Sequence, residues 1–466
     1  MNRLRPLCTL LFGVAVLLFF GMAYPHHLHY QEQFQLFLFD SDYVWEVVRQ
    51  PGGVADLLGR FCTQFFLYAW VGAVIIAVLL SAIQLLVHYA MFNVQSSKFK
   101  VQCSMFNGLS YVPSLLLWLF LLDENALMGG VWAVLLLLLA VWLLVKLPSG
   151  WTRRIMFIVA IPILYWTASP TGHYYRNPAE TPTLLWAAWL AVIVIEVIAH
   201  SSQFTAYSSK FKVHSSKFIV QGVMFLLVAV VMGATVWKTA NFKAEKVMGY
   251  DFMACHQQWN RILETVNAEK PNNQIGVTVQ NLALAMHGML TDHLMEYNQN
   301  GIAGLLPDVG SDATSPLPTA EVFYQLGMVY VAQRTVFEAQ EAILDYQKSG
   351  RCYKRLAQTN LVIGNYEVAC KYLLALQKTL FYREWAHETL PLLGNEEAIA
   401  KHPEYGRLRQ MAYNEDFFFA DHVSAEMLEK LFFSNTDNRL AHDYLVAYYV
   451  LTGDRENYVK LLRKFH

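Results

Sequence analysis

The chain has 466 residues, of which 55% are hydrophobic and 15% are charged, and its formal net charge is −1. Soluble domains carry about a quarter charged residues, so this composition excludes an ordinary soluble protein, and the missing basic excess argues against binding of nucleic acid. Six cysteines without a regular spacing indicate neither a disulfide framework nor a zinc site. No cofactor and no metal is therefore predicted.

The charged residues are unevenly distributed. Residues 1–237 hold 13 Lys and Arg and 9 Asp and Glu, whereas residues 238–466 hold 22 and 27. This difference predicts a transmembrane domain, 1–237, joined near Trp237 to a polar domain, 238–466.

Seven apolar stretches in the first domain are candidates for membrane helices, which need about 20 apolar residues each. The predicted spans are 7–24, 63–91, 105–122, 131–147, 155–169, 183–200 and 218–237. The fifth is short and contains Pro162, which neighbouring helices can accommodate in a membrane. The first span could instead be a signal peptide, since its start is basic, although it lacks an A-x-A site.

The basic residues predict the orientation, because Lys and Arg are retained on the cytoplasmic side. With a cytoplasmic N-terminus, ten basic residues lie inside: Arg3, Arg5, Lys98, Lys100, Lys146, Arg153, Arg154, Lys210, Lys212 and Lys217. The outer loops hold only Arg49, Arg60 and Arg176. The sequence therefore predicts a multi-pass protein of the bacterial inner membrane, surrounded by lipid, with residues 238–466 in the periplasm.

The first outer loop, "HHLHYQEQFQLFLFDSDYVWEVVRQPGGVADLLGRF", is amphipathic. Its segments "FQLFLF" and "DYVWEVV" are predicted to lie in the membrane interface, with "QPGG" as a break. The loop position and the D-x-D of Asp40 and Asp42 resemble the GT-C glycosyltransferases. That resemblance implies a carboxylate that activates an acceptor or binds a metal beside a lipid-linked sugar donor. The alternative is that both are solvated loop acids.

A short phrase, SSKFKV, occurs at 96–101 and at 208–213, in two predicted inner loops. The repeat aligns Gln84 and His88 of the second span with Glu196 and His200 of the sixth, each pair on one helix face. Glu196 is the only acid within a predicted span, which makes it a candidate for ion handling in a transporter. The alternatives are a hydrogen bond between Glu196 and His200 and loops whose lysines contact lipid headgroups.

The polar domain contains segments that resemble tetratricopeptide repeats: "AEVFYQLGMVYVAQRTVFEAQEAIL" and "RCYKRLAQTNLVIGNYEVACKYLLALQ". Turns are predicted at Gly364-Asn365 and, in a looser final copy, at Gly453-Asp454. Another copy is predicted near Trp259, and 300–320 is a loop. These segments predict an α-solenoid; a generic helical bundle is the alternative.

Taken whole, the chain is similar to uncharacterised bacterial inner-membrane proteins with about seven N-terminal spans and a tetratricopeptide-like periplasmic tail. The phrases "YQEQFQLFLFDSDY", "NLALAMHG" and "RLAQTNLVIGNYEVACKYL" carry that similarity, which implies no activity. The sequence thus predicts an all-α membrane protein, an envelope scaffold or assembly factor whose outer helical repeats bind a protein or peptide. The alternatives are an enzyme using Asp40 and Asp42 and a transporter using Glu196.

Overall fold

The computed structural model describes residues 4–93, 108–147, 151–177, 182–200, 217–308, 310, 314–343, 347–413 and 425–465. Within these ranges the chain forms helices and no β-strand, apart from two isolated bridges. The prediction of an all-α fold is confirmed. The two SSKFKV phrases lie outside the described residues.

The chain divides into two compact units. The first contains Met1–Glu32 and Phe39–Phe242, and the second contains Gln33–Leu38 and Lys243–His466. A short segment between α1 and the second predicted span therefore belongs to the C-terminal unit, although the residues on either side of it belong to the other unit.

The described helices of the first unit include seven that overlap the predicted spans and three that lie between the first span and the second. They are α1 Leu4–Leu18, α2 Pro25–Glu32, α3 Ser41–Val48, α4 Gly53–Thr63, α5 Ala69–Asn93, α6 Val112–Phe120, α7 Gly129–Lys146, α8 Trp151–Ala168, α9 Thr183–His200 and α10 Lys217–Thr239. A π-helical turn, Phe19–Ala23, continues α1. The predicted start of the second span at 63 is wrong, because a 3₁₀ turn at Gln64–Leu67 separates α4 from α5.

Two helical segments are long and apolar enough to cross a membrane: Pro6–Ala23, in α1 and the π-helical turn, and Ala69–Ala90, in α5. Three further apolar stretches, Gly129–Leu144, Thr183–Val194 and Leu226–Thr239, are shorter in the described part of the chain. The structure therefore supports two candidate membrane helices, and the seven-span bundle stays a prediction.

Aromatic side chains hold α1 in the core of the first unit. The ring centroid of Phe12 lies 5.5 Å from that of Tyr111 and 6.0 Å from that of Trp118. Phe19, the first residue after α1, lies 5.6 Å from Trp118 in an edge-on arrangement. Such pairs add to the free energy of burying the rings, so α1 is anchored to the residues around α6.

The second unit consists of short helices. They are α11 Phe242–Cys255, α12 Trp259–Glu269, α13 Gln274–Met286, α14 Leu290–His293, α15 Pro316–Leu326, α16 Val329–Glu341, α17 Gly350–Ile363, α18 Tyr366–Gln377, α19 Arg383–Thr389, α20 Glu396–Lys401, α21 Pro403–Met411, α22 Ala425–Ser434, α23 Arg439–Thr452 and α24 Arg455–Phe465. Phe242 alone of α11 is assigned to the first unit. Neighbouring helices pack in pairs, notably α15 with α16, α17 with α18, and α22 with α23.

Two predicted turns, at Gly364 and Gly453, are present at the ends of α17 and α23. Gly364 has φ +94° and Gly453 has φ +72°, a left-handed conformation that side chains with a Cβ disfavour. In each turn the following N–H closes the helix: Asn365 donates to Asn360 O at 2.8 Å, and Asp454 to Tyr449 O at 3.0 Å. These are helix C-caps of the Schellman type, and they reverse the chain into the next helix.

Candidate functional site

Asp40 and Asp42, the candidates for an enzyme, lie at the start of α3. Asp40 is the N-cap, and its Oδ1 accepts hydrogen bonds from the backbone N–H of Asp42 at 3.0 Å and of Tyr43 at 3.4 Å. Asp42 lies in the first turn of the helix. A carboxylate at this position satisfies free N–H groups and complements the helix dipole, so the geometry gives Asp40 a structural role.

Gln84 lies within the helical core of the first unit and is buried. Its Oε1 accepts a hydrogen bond from Thr9 Oγ1 at 2.9 Å, and its Nε2 donates to Ser110 Oγ at 3.0 Å. The side chain therefore connects α1, α5 and Ser110, which lies two residues before α6.

His88, the second candidate on α5, is half-buried one turn further along. The backbone of Glu196 and His200 belongs to α9, but their side chains lie outside the described residues. The proposed pairing of Glu196 with His200 therefore stays a prediction.

Buried polar groups connect α2 to the loop after α6. His27 Nε2 donates to Leu121 O at 2.9 Å, and Gln31 Nε2 donates to Ala126 O at 3.1 Å. Burial disfavours the imidazolium form and lowers the pKa of His27 from its ordinary 6.5 to about 4, although Asp123 opposes this shift. His27 is therefore neutral near pH 7, and its hydrogen bond to Leu121 holds α2 against the loop after α6, which is a structural role.

The same loop contacts the segment after α8. Tyr175 Oη donates to Asp123 Oδ2, and Arg176 Nε donates to Asn125 Oδ1 at 3.1 Å. The Arg176 guanidinium also lies 5.4 Å from the ring centroid of Tyr30, in α2. These contacts thus link α2, the loop after α6 and the segment after α8 through polar and aromatic side chains.

A buried charge cluster lies in the second unit, where α11, α15, α17 and α21 meet. Arg351 donates to both carboxylate oxygens of Asp251, at 2.6 and 2.9 Å, and its Nη2 lies 3.7 Å from Glu321. Arg355, one turn further along α17, contacts Glu321 at 2.5 Å and lies 4.0 Å from Glu404. Paired, hydrogen-bonded charges of this kind hold helices in a fixed arrangement because leaving either sign alone would be costly.

Tyr324 completes the charge cluster. Its hydroxyl donates to Glu404 Oε1 at 2.9 Å, and the Arg355 guanidinium lies 3.7 Å from its ring centroid. Burial raises the pKa of Tyr324 well above its ordinary value, so the hydroxyl stays protonated and acts as a donor. The cluster is thus held by hydrogen bonds as well as by charge.

The charge cluster also fixes the segment Gln33–Leu38. Arg351 Nη1 donates to Gln33 Oε1 at 3.4 Å, and the backbone N–H of Leu36 donates to Lys348 O at 2.9 Å. Residues 33–37 are all buried. The expectation that "FQLFLF" lies in the membrane interface is wrong for these residues, because their side chains pack in the second unit.

A cleft of about 500 Å³ opens on the second unit between the end of α13, the end of α21 and the start of α23. Its walls combine apolar and charged side chains: Met286, Arg407, Gln410, Met411, Asp437 and Arg439. Its volume is within the range of ligand pockets, so the cleft is the candidate binding site of this unit.

Neither the charge cluster nor the cleft was predicted from the sequence. A signal for the first was available: Arg351 and Arg355 are four residues apart, and both fall on α17, a helix whose buried face includes Leu356 and Ala357. Charged residues on a buried helix face must find partners. The cleft had no such signal because its walls come from three separate segments, the first of which lies more than 100 residues before the other two.

Among the described residues, no group of three or more His, Cys, Asp or Glu side chains could hold a metal ion. Residues 1–172 and 168–466 match one protein family, described as a family of unknown function (DUF6057). No curated protein and no solved structure matches the chain.

Proposed function

Since the chain belongs to the family of unknown function DUF6057, its role has to come from its own residues, and we propose a membrane-anchored interaction protein. In this proposal the first unit is a multi-pass bundle of about seven spans in the bacterial inner membrane. The second unit is a tetratricopeptide-like domain on the periplasmic side, where it binds a protein or peptide as an envelope scaffold or assembly factor.

The observation that carries the proposal is the outward exposure of large apolar side chains on the helices of the first unit. On α8, Ile158 is 68% exposed and Ile161 67%, and on α10 Leu226 is 64% exposed. Leaving such a side chain in water costs about 1.5–3 kcal/mol relative to burial. Lipid removes this cost, so the pattern supports a bundle surrounded by membrane.

The segment Gln33–Leu38 supports the proposed side of the second unit. It follows α1 and α2 directly and belongs to the second unit. If α1 crosses the membrane, the second unit must lie on the side where α1 ends. Arg3 and Arg5 at the other end favour a cytoplasmic N-terminus, which puts the second unit outside.

The number of later helices agrees with this arrangement. Six apolar helices, α5 to α10, separate the first outer loop from the second unit. An even number of crossings returns the chain to the same side, so a seven-span topology and an external C-terminal unit are mutually consistent.

Reporter fusions test the topology in intact bacteria. Alkaline phosphatase, which is active only outside the cytoplasm, is expected to be active when fused after His466, and a green fluorescent protein at that site is expected to be dark. The matched control is fusion after Lys146, at the predicted inner end of α7, where both results should be reversed. Fluorescence together with inactive phosphatase after His466 would refute the proposal.

A further inference from the structure

Arg407 differs from the other buried arginines of the second unit in having only neutral partners. It is half-buried, and it donates to Gln325 O at 3.2 Å, to Gln325 Oε1 at 2.7 Å and to Met411 Sδ at 3.4 Å. Arg351 and Arg355, by contrast, each have a carboxylate within 3 Å. Partial burial lowers the pKa of Arg407, and the more distant Tyr324 and Glu404 oppose this shift. Its positive charge is therefore not neutralised by any described carboxylate within 4 Å.

A second guanidinium, that of Arg439, lines the same cleft at the start of α23. The Arg439 side chain is exposed and makes no hydrogen bond or ion pair with the described residues. Two arginines without carboxylate partners on one cleft create a site that attracts an anion, and their planar donor groups match a carboxylate.

The remaining walls restrict what kind of anion fits. Met286, Met411 and Leu440 give the cleft an apolar part beside the two arginines. Asp437 contributes an exposed carboxylate to the rim, and this negative charge repels a dianion such as a phosphate more strongly than a monoanion. The cleft therefore favours a single carboxylate flanked by apolar groups.

We propose that the cleft between α13, α21 and α23 binds a peptide segment in which an acidic side chain is flanked by apolar residues. This inference rests on the proposed role of the second unit as a protein-binding domain and specifies its partner. The acidic side chain pairs with Arg407 and Arg439, and the apolar neighbours contact Met286 and Leu440.

The probe is a displayed library of random heptapeptides, selected on the purified full-length chain in detergent. Selected peptides are expected to be enriched in Asp and Glu beside apolar residues. For the most enriched peptide, Arg407→Gln and Arg439→Gln should each weaken binding about tenfold, because a charge-assisted hydrogen bond is lost. Asp437→Asn should strengthen binding, which a purely structural effect would not do.

Arg463→Gln is the matched control, since it removes the same charge from an exposed position on α24 that is not part of the cleft. Its binding should equal that of the unmodified chain. If the Arg407→Gln variant unfolds, the Arg439→Gln variant still tests the proposal, because the Arg439 side chain has no hydrogen-bond or ion-pair partner among the described residues.

Three results would overturn the inference: no acidic enrichment, equal losses in Arg439→Gln and Arg463→Gln, or tighter binding when phosphoserine replaces the selected acid. Each of these leaves the reporter result untouched. A failed cleft and a failed topology are therefore distinguishable.

Discussion

Asp40 shows that a carboxylate can match a sequence motif of catalytic sites and yet have a structural role. It lies in the D-x-D that resembles a glycosyltransferase loop, yet its Oδ1 accepts from two N–H groups at the start of α3. An Asp followed by a helix-forming run is a common helix start. The capping role therefore accounts for Asp40 without any catalytic step.

Substitutions of Asp40 test its role as the N-cap of α3. Asp40→Ala is expected to destabilise α3 by about 1 kcal/mol, because two N–H groups lose their acceptor. Hydrogen exchange of the amides in Ser41–Val48 should then accelerate about fivefold. Asp40→Asn keeps an acceptor oxygen and should exchange at nearly the unmodified rate. Equal acceleration in both variants would show that the negative charge of Asp40, and not its acceptor oxygen, stabilises the start of α3.

At the scale of the element, the glycine turns fix where each helix pair of the second unit reverses. A Cβ added to Gly364 would meet no atom within 4 Å. The requirement for glycine there is thus conformational, since φ is +94°. Local backbone chemistry of this kind acts the same way in any surrounding fold.

Gly364→Ala is expected to destabilise the protein by about 1 kcal/mol, because L residues other than Asn and Asp pay for the left-handed conformation. Gly364→Asn should recover much of that loss. Thermal unfolding of the full chain in detergent, followed by circular dichroism, measures both. If the two variants had the same unfolding midpoint, the cost would not come from backbone conformation.

At the scale of the whole molecule, Arg351 connects parts of the chain that are far apart in sequence. It contacts Asp251, 100 residues earlier, and Gln33, 318 residues earlier. The segment Gln33–Leu38 is thereby incorporated into the C-terminal unit. A C-terminal fragment that begins after Phe242 lacks Gln33–Leu38, and we expect it to be less stable than the same unit in the full chain.

Arg351→Ala is expected to destabilise the full chain by about 3–5 kcal/mol, because Asp251 would stay largely buried without its cation and Glu321 would keep only Arg355. Thermal unfolding in detergent gives the overall effect, and hydrogen exchange at 33–38 should accelerate in parallel. Lys401→Ala is the control, since its ion pair with Glu397 is exposed and one helical turn apart. An Arg351→Ala variant as stable as Lys401→Ala would show that the charge cluster does not hold the unit together.

The sequence by itself determined the helical character of the chain, the positions of the apolar helices and the turns at Gly364 and Gly453. These features depend on residues within a few positions of one another, namely apolar runs and a glycine that accepts a positive φ. The tertiary structure decided what Gln33–Leu38 packs against, which charges are neutralised and where a cleft opens. Those properties depend on side chains such as Gln33 and Arg351 that come into contact only after folding. Sequence periodicity carries no information about such contacts.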